Sequence, residues 1–346
     1  MSVTMIGLDT AKTVFQVHGV NESGEAEVRR KLRRSEIVRF FETQPACTVV
    51  LEACGAAHHW GRVLTGLGHT VRLIAPEAVR PFVKAGRKND AADAAALCEA
   101  ARRPEMRFVP VKSLDQQGRL ALHTVRALLV KQQTMLANAL RSLAAEFGLV
   151  APLGFGKLSE LVMQVAAEAS VPEAARRALQ ALHEQFHAIR DAAAELEASI
   201  VAHARQDETA RRLATIPGVG PITASLIAAT IVDIRLFKSA RHFAAWLGLV
   251  PRQHSTGGKV RLGRITKAGN EQIRTLLVLG ATSMARRAGG WNSAAGVWIR
   301  GVLARRPARL ATVALANKMA RIAWAVMAHK EDYRPFGSAT AAGIAA

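Results

Sequence analysis

The chain is long, apolar in half of its residues and strongly basic. It has 346 residues, with 47 Lys and Arg against 27 Asp and Glu, which gives a formal net charge of +20 at pH 7. This length predicts two or three domains with real hydrophobic cores. The charge favours an acidic polymer, nucleic acid first, as the partner, with a ribosomal-type or a membrane-surface protein as alternatives.

The cysteines and the apolar segments predict a soluble cytoplasmic protein. The three cysteines, Cys47, Cys54 and Cys98, have neither paired metal-ligand spacing nor a disulfide framework, which is typical of a reducing compartment. The chain enters a strand almost at once, so no signal sequence is predicted. Its apolar stretches are too short or too interrupted by charge to span a bilayer, so we expect no membrane contact.

Residues 1–110 carry strand and helix signals in the order of a ribonuclease-H-like α/β domain. Three strands come first and predict an antiparallel meander, and helices and strands alternate afterwards. Ser35 is a suitable N-cap for the first helix. The predicted elements are strands 4–8, 14–20 and 25–32, helix 35–42, strand 48–52, helix 56–67, strand 70–74 and helix 89–102.

The rest of the chain is predicted to be mainly helical. Residues 111–205 show no strand signal and predict two long helices, the second over about 172–203, as a linker or an antiparallel coiled-coil arm. Residues 206–346 open with the segment 215–221, which matches a helix-hairpin-helix element. Gly218 and Gly220 would let backbone N–H groups approach a phosphate, although a plain turn between helices is the alternative.

Four carboxylates in the first 93 residues predict a metal site. Asp9 and Glu52 each end a predicted buried strand, and Asp90 and Asp93 lie three residues apart on a predicted helix, which places them on one face. Such an oxygen-rich cup suits Mg²⁺ and two-metal phosphodiester chemistry. Taken singly, each acid could instead only cap a turn or favour a helix N-terminus.

A Gly-rich, basic loop between 248 and 270 is the second candidate site. Ser255 lies in it, either as a nucleophile or as a hydrogen-bond partner of a phosphate, and the neighbouring His254 could serve as a base or only contact a phosphate or water. From Arg235 to Lys330 the chain has 18 Lys and Arg and one acid, Glu271. The basic residues expected to bind nucleic acid in the loop are Arg252, Lys259, Arg261, Arg264 and Lys267.

Several segments together resemble a known family. The chain is similar, nearly end to end, to the transposases of the insertion-sequence family one-ten, in its eleven-eleven subgroup, also called DEDD or Piv/MooV-type recombinases. The segments that carry the resemblance are Ile6-Gly7-Leu8-Asp9, Leu51-Glu52-Ala53-Cys54-Gly55, Lys88-Asn89-Asp90-Ala91-Ala92-Asp93-Ala94, Ile216-Pro217-Gly218-Val219-Gly220, the run 248–259 and Ala316-Asn317-Lys318-Met319-Ala320-Arg321.

The resemblance implies a RuvC-like N-terminal domain in which Asp9, Glu52, Asp90 and Asp93 hold Mg²⁺. It also implies a C-terminal transposase domain with a serine that attacks DNA and forms a covalent phosphoserine. Ser255 matches that serine best, and Thr256 follows it directly. Similar proteins use an element-encoded guide RNA that pairs with donor and target DNA, and they act as homo-oligomers with composite active sites, in the bacterial cytoplasm near the nucleoid.

The predicted domains are therefore a RuvC-like catalytic domain at 1–110, a helical arm at 111–205 and a transposase domain at 206–346. The leading hypothesis is an RNA-guided DNA recombinase. One alternative is a RuvC-like, metal-dependent junction nuclease that forms no covalent intermediate. Another is a non-catalytic nucleic-acid-binding protein.

Overall fold

The computed structural model describes residues 3–83, 90–291 and 294–335, with Asp90 and Ala294 described by their backbone alone. The chain divides into two compact units, Met1–Gln117 and Gly118–Ala346. The first unit is an α/β domain built on one mixed sheet, and the second unit is mainly helical. The predicted boundaries at 110 and 205 stay predictions.

A mixed six-stranded sheet forms the centre of the first unit. Its strand order is β3-β2-β1-β4-β5-β6, with β1, β2 and β3 antiparallel, β1, β4 and β5 parallel, and β6 antiparallel to β5. This confirms the predicted meander and is consistent with a ribonuclease-H-like domain. The strands are β1 Met5–Thr10, β2 Val14–Val20, β3 Ala26–Arg33, β4 Thr48–Glu52, β5 Thr70–Ile74 and β6 Phe108–Val109.

Four helices accompany this sheet: α1 Ile37–Glu42, α2 Ala57–Gly66, α3 Pro76–Val79 and α4 Asp90–Ala101. The prediction that Ser35 caps α1 was wrong, because Ser35 lies inside a single 3-10 turn over Arg34–Glu36. There the carboxylate of Glu36 accepts a hydrogen bond from the backbone N–H of Arg33 at 2.6 Å. This bond satisfies the backbone N–H of Arg33, the N-cap residue of the 3-10 turn.

Strand alternation gives the sheet two buried faces. Ile6 and Leu8 of β1 point to one side, where they pack with Phe41 of α1 and Leu64 of α2. On the other side, Val50 of β4 packs in a second cluster, which the alanine-rich helix α4 completes. Because successive side chains of a strand point to opposite faces, the two helical layers fix which strand residues lie under α4.

The second unit begins within the first of two long helices. The prediction of long helices is confirmed, with α5 at Leu114–Ala145 and α7 at Glu173–Gln206, and the prediction did not include α6 at Leu158–Ala167 between them. Side chains of all three helices share one apolar cluster, which includes Leu140, Leu161 and Phe186. The coiled-coil interpretation of this region stays a prediction.

The remaining elements of the second unit surround a separate core. They are α8 Glu208–Ala214, α9 Pro221–Thr230, α10 Ala240–Trp246, β7 Pro251–Gln253, β8 Leu262–Ile265, α11 Glu271–Arg287, α12 Ala294–Arg305 and α13 Ala308–His329. Within the described residues, α13 is the one helix long and apolar enough to cross a membrane by length and composition. Its Leu315, Ala316 and Met319 are buried in the core of this unit, as expected of a central core helix.

Candidate functional site

Two of the predicted carboxylates lie side by side at the carboxyl ends of β1 and β4. Leu8 pairs with Leu51 across these parallel strands, so Asp9 and Glu52 follow at the next position of each strand. Adjacent strands place such residues roughly 5 Å apart at the backbone. Just beyond, Thr10 Oγ1 lies 3.7 Å from Cys54 Sγ, so the segments that leave the two strands also meet.

Both carboxylates point to the face of the sheet that α4 covers. Gly7 lies two residues before Asp9 and therefore shares its face. A Cβ added at Gly7 would come 2.1 Å from the carbonyl oxygen of Ala94, so the helix backbone approaches β1 directly. Val50 lies two residues before Glu52 and packs in the cluster that α4 completes. The absence of a side chain at Gly7 lets α4 lie against the strand that carries Asp9.

The direction of α4 places its first turn near Asp9. At the C-terminal end of the helix, the Arg102 guanidinium donates hydrogen bonds to the carbonyl oxygens of Glu22 and Ser23, at 3.4 and 3.1 Å. Glu22 and Ser23 lie in the turn between β2 and β3, just after Val20. Val20 pairs with Met5 at the start of β1. The helix therefore runs opposite to β1, and its N-terminal turn lies at the end where Asp9 lies.

That first turn carries the other two predicted ligands. Asp93 is half-buried there, and Asp90 begins the helix. The side chain of Asp90, together with residues 84–89, lies outside the described part of the structure. The structure thus brings Asp9, Glu52 and Asp93 to one end of one sheet face, with Asp90 entering α4 at the same end.

The donor set at this end suits a hard dication. Three described carboxylates share one face, and Mg²⁺ prefers carboxylate and water oxygens. Among the residues whose side chains are described, no three of His, Cys, Asp and Glu lie close enough together to hold a metal ion. The fit therefore rests on the chemistry of the carboxylates and on their placement at one end of the sheet face.

A row of basic side chains, not predicted from the sequence, lies on the same face. Gln16 pairs with Asp9 on one side and with Lys31 of the edge strand β3 on the other, so the three residues form one cross-strand row. Arg29 and Arg33 lie two residues either side of Lys31 and share its face. All three are exposed. We call them the β3 basic row.

The titration of a neighbouring histidine is consistent with this placement. His18 pairs with Arg29 across β2 and β3. Burial first, and then the charge of Arg29, lowers the pKa of His18. The sequence carried a signal for the β3 basic row, since Arg29, Lys31 and Arg33 alternate with other residues. Only the strand register, however, shows that they share the face of the carboxylates.

The predicted serine loop is a β-hairpin. The strands β7 and β8 pair in antiparallel fashion, and the N–H of Lys259 donates to the carbonyl oxygen of Thr256 at 3.1 Å. Gly257 and Gly258 between them have φ of 55° and 77°. Two consecutive residues with positive φ are typical of the tight type I′ turn, which suits glycine at both positions. Every residue of 251–264 is exposed, and Ser255 lies next to the turn.

The hydroxyl of Ser255 accepts two hydrogen bonds within the hairpin. Gln253 Nε2 donates to its Oγ at 2.9 Å, and the backbone N–H of Arg261 donates weakly at 3.4 Å. His254, a candidate base in the sequence, is held by its backbone N–H, which donates to the Arg261 carbonyl at 2.8 Å. Among the described residues, Gln253 and Arg261 are the hydrogen-bond partners of Ser255 Oγ. Because both donate to Oγ, the hydroxyl hydrogen of Ser255 remains available for donation to another group.

The predicted basic residues of this region all lie on the hairpin or where it joins the core. Arg252 donates to the carbonyl oxygen of Thr266 at 3.1 Å, which ties the two strands together. Lys267 has a φ of 57°, and its N–H donates to the Gly248 carbonyl at 3.1 Å, which closes the hairpin base. The exposed positive charges that result are Arg252, Lys259, Arg261, Arg264 and Lys267.

The two predicted turn glycines have different surroundings. Gly218 has a φ of 82°, and a Cβ there would come 2.5 Å from the sulfur of Met284, so packing explains this glycine. Gly220 is exposed, a Cβ there would meet nothing within 4 Å, and it is the N-cap of α9. The turn joins α8 to α9, and its role as a nucleic-acid-binding helix-hairpin-helix stays a prediction.

Comparison with known proteins gives the family. A family described as DEDD transposase of the IS110 type matches residues 6–147, and the family "Transposase IS116/IS110/IS902" matches residues 210–295. The chain is 51% identical over 336 residues to a putative transposase of Sinorhizobium fredii, covering 96% of this chain and 86% of that protein. The chain belongs to the IS110/IS1111 family of transposases.

Two further relatives support this membership and the subgroup. This transposase is 48% identical over 338 residues to a probable family 20 transposase of Pseudomonas aeruginosa, covering 97% of this chain and 100% of that protein. It is 39% identical over 334 residues to the transposase of insertion sequence IS1111A from Coxiella burnetii, covering 96% of this chain and 92% of that protein. It is therefore a transposase enzyme. The predicted family is confirmed, and the predicted subgroup fits the similarity to the IS1111A transposase.

Proposed function

We propose that this transposase cuts and rejoins DNA strands with two sets of groups. The first is the acidic tetrad, Asp9, Glu52, Asp90 and Asp93, which holds Mg²⁺. The second is Ser255, which attacks a DNA phosphodiester. The observation that carries the proposal is that Asp9 and Glu52 follow the paired residues Leu8 and Leu51 on neighbouring parallel strands, on the face that α4 covers.

The carboxylates are the proposed metal ligands, and the strands and the helix that carry them hold them in place. Asp9 and Glu52 stand on adjacent strands of a six-stranded sheet, and Asp93 stands on a helix that lies against β1. Ligands on such elements keep fixed separations, which small, hard dications require. When bound, Mg²⁺ supplies Lewis-acid polarisation of the scissile phosphate and offsets its developing charge.

Ser255 supplies the nucleophile. Its Oγ forms a bond to the phosphorus, and one phosphorus–oxygen ester bond of the DNA breaks. The freed DNA oxygen leaves as a hydroxyl group, which takes up a proton, while the proton of Ser255 is lost. Because Gln253 donates a hydrogen bond to Oγ, the developing negative charge on Oγ is stabilised. The covalent phosphoserine conserves the ester, so a second DNA hydroxyl can displace the serine without ATP.

Positive charge on both units positions the nucleic acid. The β3 basic row flanks the carboxylates on their own sheet face, and the hairpin surrounds Ser255 with exposed Arg and Lys. Such side chains bind phosphates irrespective of sequence. The exposed N-terminus of α9 at Gly220 adds backbone N–H groups that suit a phosphate.

We also propose that an element-encoded RNA selects donor and target DNA and that the protein acts as a homo-oligomer in the bacterial cytoplasm. The net charge of +20 supports simultaneous binding of RNA and DNA. In such a division of labour, base pairing reads the sequence while the protein reads backbone and shape. Recombination by purified protein should then require the RNA, and RNA-independent recombination of the same DNA would contradict this part of the proposal.

The covalent intermediate is the central test. Protein is incubated with labelled donor and target DNA and Mg²⁺, denatured and separated on a gel. We expect wild type and Thr256→Ala to form a protein–DNA adduct and Ser255→Ala to form none, with DNA binding retained in all three. An adduct that persists in Ser255→Ala would remove this residue from the role. Cut ends free of protein in wild type would favour the junction-nuclease alternative.

The composite active site has a separate test. Glu52→Gln lacks a proposed metal ligand and Ser255→Ala lacks the nucleophile, so each is inactive alone. If the carboxylates of one protomer act with Ser255 of another, a mixture of the two variants should recover part of the activity. A mixture as inactive as its components would show that both sets must come from one chain.

A further inference from the structure

Three polar atoms meet between α6 and α7, in side chains that the proposed function does not use. Ser159 Oγ of α6 lies 3.2 Å from His183 Nε2 and 3.4 Å from His187 Nε2, both on α7. The two Nε2 atoms lie 3.0 Å from each other. All three residues are half-buried. The three atoms therefore form a small triangle in which each is a possible metal ligand.

The two histidines have the spacing of a helical metal site. His187 lies four positions after His183, so both side chains project from one face of α7. Two histidines at this spacing on a helix are a known arrangement for binding zinc. Their rings stand nearly perpendicular, at 87°, with centroids 4.4 Å apart, and both Nε2 atoms point into the same small space.

We infer that Ser159, His183 and His187 form a binding site for a divalent transition-metal ion that prefers imidazole ligands, such as Zn²⁺. Zinc bonds to histidine nitrogen at about 2.0–2.1 Å in tetrahedral geometry, which separates neighbouring ligand atoms by roughly 3.3 Å. The three measured separations, 3.0, 3.2 and 3.4 Å, match one face of such a tetrahedron. The remaining position would be taken by water.

The lowered pKa of His183 is consistent with this role. Metal binding needs the neutral imidazole, whose lone pair is available at nitrogen. Burial lowers the pKa of His183, and the neighbouring His187 lowers it further. The site is chemically distinct from the carboxylate end of the first unit, since imidazole selects zinc-like ions and carboxylates select Mg²⁺.

A bound ion would fasten two helices of the second unit. Ser159 follows the buried Leu158 of α6, and His187 follows the buried Phe186 of α7, so the site adjoins the apolar cluster that these helices share. A metal ion bound to both helices stabilises the folded state, because the unfolded chain does not hold the ligands together. The thermal stability of the protein then reports occupancy without any measurement of activity.

The experiment uses the full chain without an affinity tag, freed of metal by chelation and kept in excess Mg²⁺ so that the carboxylates are occupied. Zn²⁺ is titrated by calorimetry, and thermal unfolding is followed with and without Zn²⁺. We expect wild type to bind Zn²⁺ and unfold at a higher temperature with it. His183→Gln and His187→Gln should each weaken binding by at least about tenfold and lose the thermal shift.

Two further variants complete the design. His329→Gln changes an exposed histidine at the end of α13 and should bind Zn²⁺ as wild type does. Ser159→Ala removes the oxygen while leaving α7 unchanged, so it tests the site if a histidine variant folds poorly, and it should weaken binding. Equal Zn²⁺ affinity and equal thermal shifts in wild type and all three site variants would overturn the inference, because the trio would then be only a hydrogen-bonded contact.

Discussion

The carboxylate end of the first unit and the serine hairpin of the second are built in opposite ways. Asp9 and Glu52 stand on neighbouring strands of a six-stranded sheet, beside completely buried Leu8 and Leu51. Ser255 stands on a two-stranded hairpin whose residues 251–264 are all exposed. The carboxylates are held by a packed core, whereas the serine is held by the hydrogen bonds of its own hairpin.

This difference suits the role that we propose for each group. Metal ligands act only at fixed separations, so they gain from strands and a close-packed helix. A nucleophile that joins itself to DNA must be accessible to a large polymer, so exposure suits it. The contrast also predicts different responses to mutation: the sheet should be sensitive to packing changes, and the hairpin to loss of single hydrogen bonds.

The largest expected effect is on activity, at the carboxylates. Glu52→Gln and Asp93→Asn should each lower the rate of Mg²⁺-dependent DNA cleavage by at least about a hundredfold, since each removes a negative charge that stabilises the proposed metal ion. The rate is measured with saturating DNA. Glu99→Gln is the matched control, because Glu99 lies on α4 and is exposed. Loss of activity in the control as well would point to damage to the helix instead.

The packing of α4 on β1 is tested by Gly7→Ala. The added Cβ would lie 2.1 Å from the Ala94 carbonyl oxygen and 3.0 Å from Cys98 Sγ, so the helix must shift. We expect a loss of roughly 2–3 kcal/mol in the free energy of unfolding, measured by denaturant titration. Gly66→Ala meets nothing within 4 Å and should lose no stability. Unchanged stability in Gly7→Ala would contradict the close approach.

Acid should weaken the core that supports the hairpin. His123 is 1% exposed and lies 3.0 Å from Ser225 Oγ, and burial lowers its pKa to about 4. Because the folded pKa lies below the ordinary value of 6.5, this stabilisation is complete above pH 6.5 and is lost as pH falls towards 4. The loss should be on the order of 2–3 kcal/mol.

The measurement compares unfolding free energies at neutral and acidic pH in wild type and His123→Gln. The variant should depend less on pH than wild type, because it lacks the buried group that must take up a proton. His329→Gln is the control and should keep the pH dependence of wild type. A variant that loses stability with acid as steeply as wild type would exclude His123 as the cause.

The β3 basic row is tested by its dependence on salt. Replacing Arg29, Lys31 and Arg33 together with Gln should lower the slope of log affinity against log salt concentration by about 2–3, since each lost phosphate contact lowers it by about 1. Arg30→Gln is the control, because Arg30 lies on the same strand but on the opposite face. An equal decrease per charge in the control would mean that only total charge matters.

The smallest expected effect concerns Gln253. Removing its amide donor in Gln253→Ala or Gln253→Glu should slow formation of the DNA adduct about fivefold. This factor corresponds to the net free energy of one ordinary hydrogen bond. The initial rate of adduct formation measures this. His254→Gln should leave the rate within about twofold of wild type, because the hydrogen bonds that Ser255 Oγ accepts come from Gln253 and the Arg261 backbone and not from His254. A large effect of His254→Gln would restore it as a candidate base.

The carboxylate end of the first unit could be predicted from the sequence because its signals are local and strong. Asp9 and Glu52 end apolar runs, and buried parallel strands bring such ends to one edge. Predicted strands 14–20, 48–52 and 70–74 have the same bounds in the structure. The approach of α4 depends on Gly7, a residue whose role appears only when the helix lies against it.

The hairpin and the β3 basic row could not be read in the same way. β7 and β8 have three and four residues and lack buried alternation, so the pair resembles a loop in sequence. The β3 basic row needs the pairing of β3 with β2 to show its face. The meeting of Ser159 with two histidines joins residues 24 and 28 positions apart, a separation that no local pattern predicts.

The charges of the β3 basic row have one more consequence, because β3 is an outer strand of the sheet. An outer strand has unpaired N–H and C=O groups, and these can template the addition of a strand from another molecule. Four exposed cations along β3, those of the β3 basic row and Arg30, oppose such addition, and the opposite border is formed by β6, which has only two residues. The side chains that we propose bind nucleic acid thus also oppose aggregation through the β3 edge of the sheet.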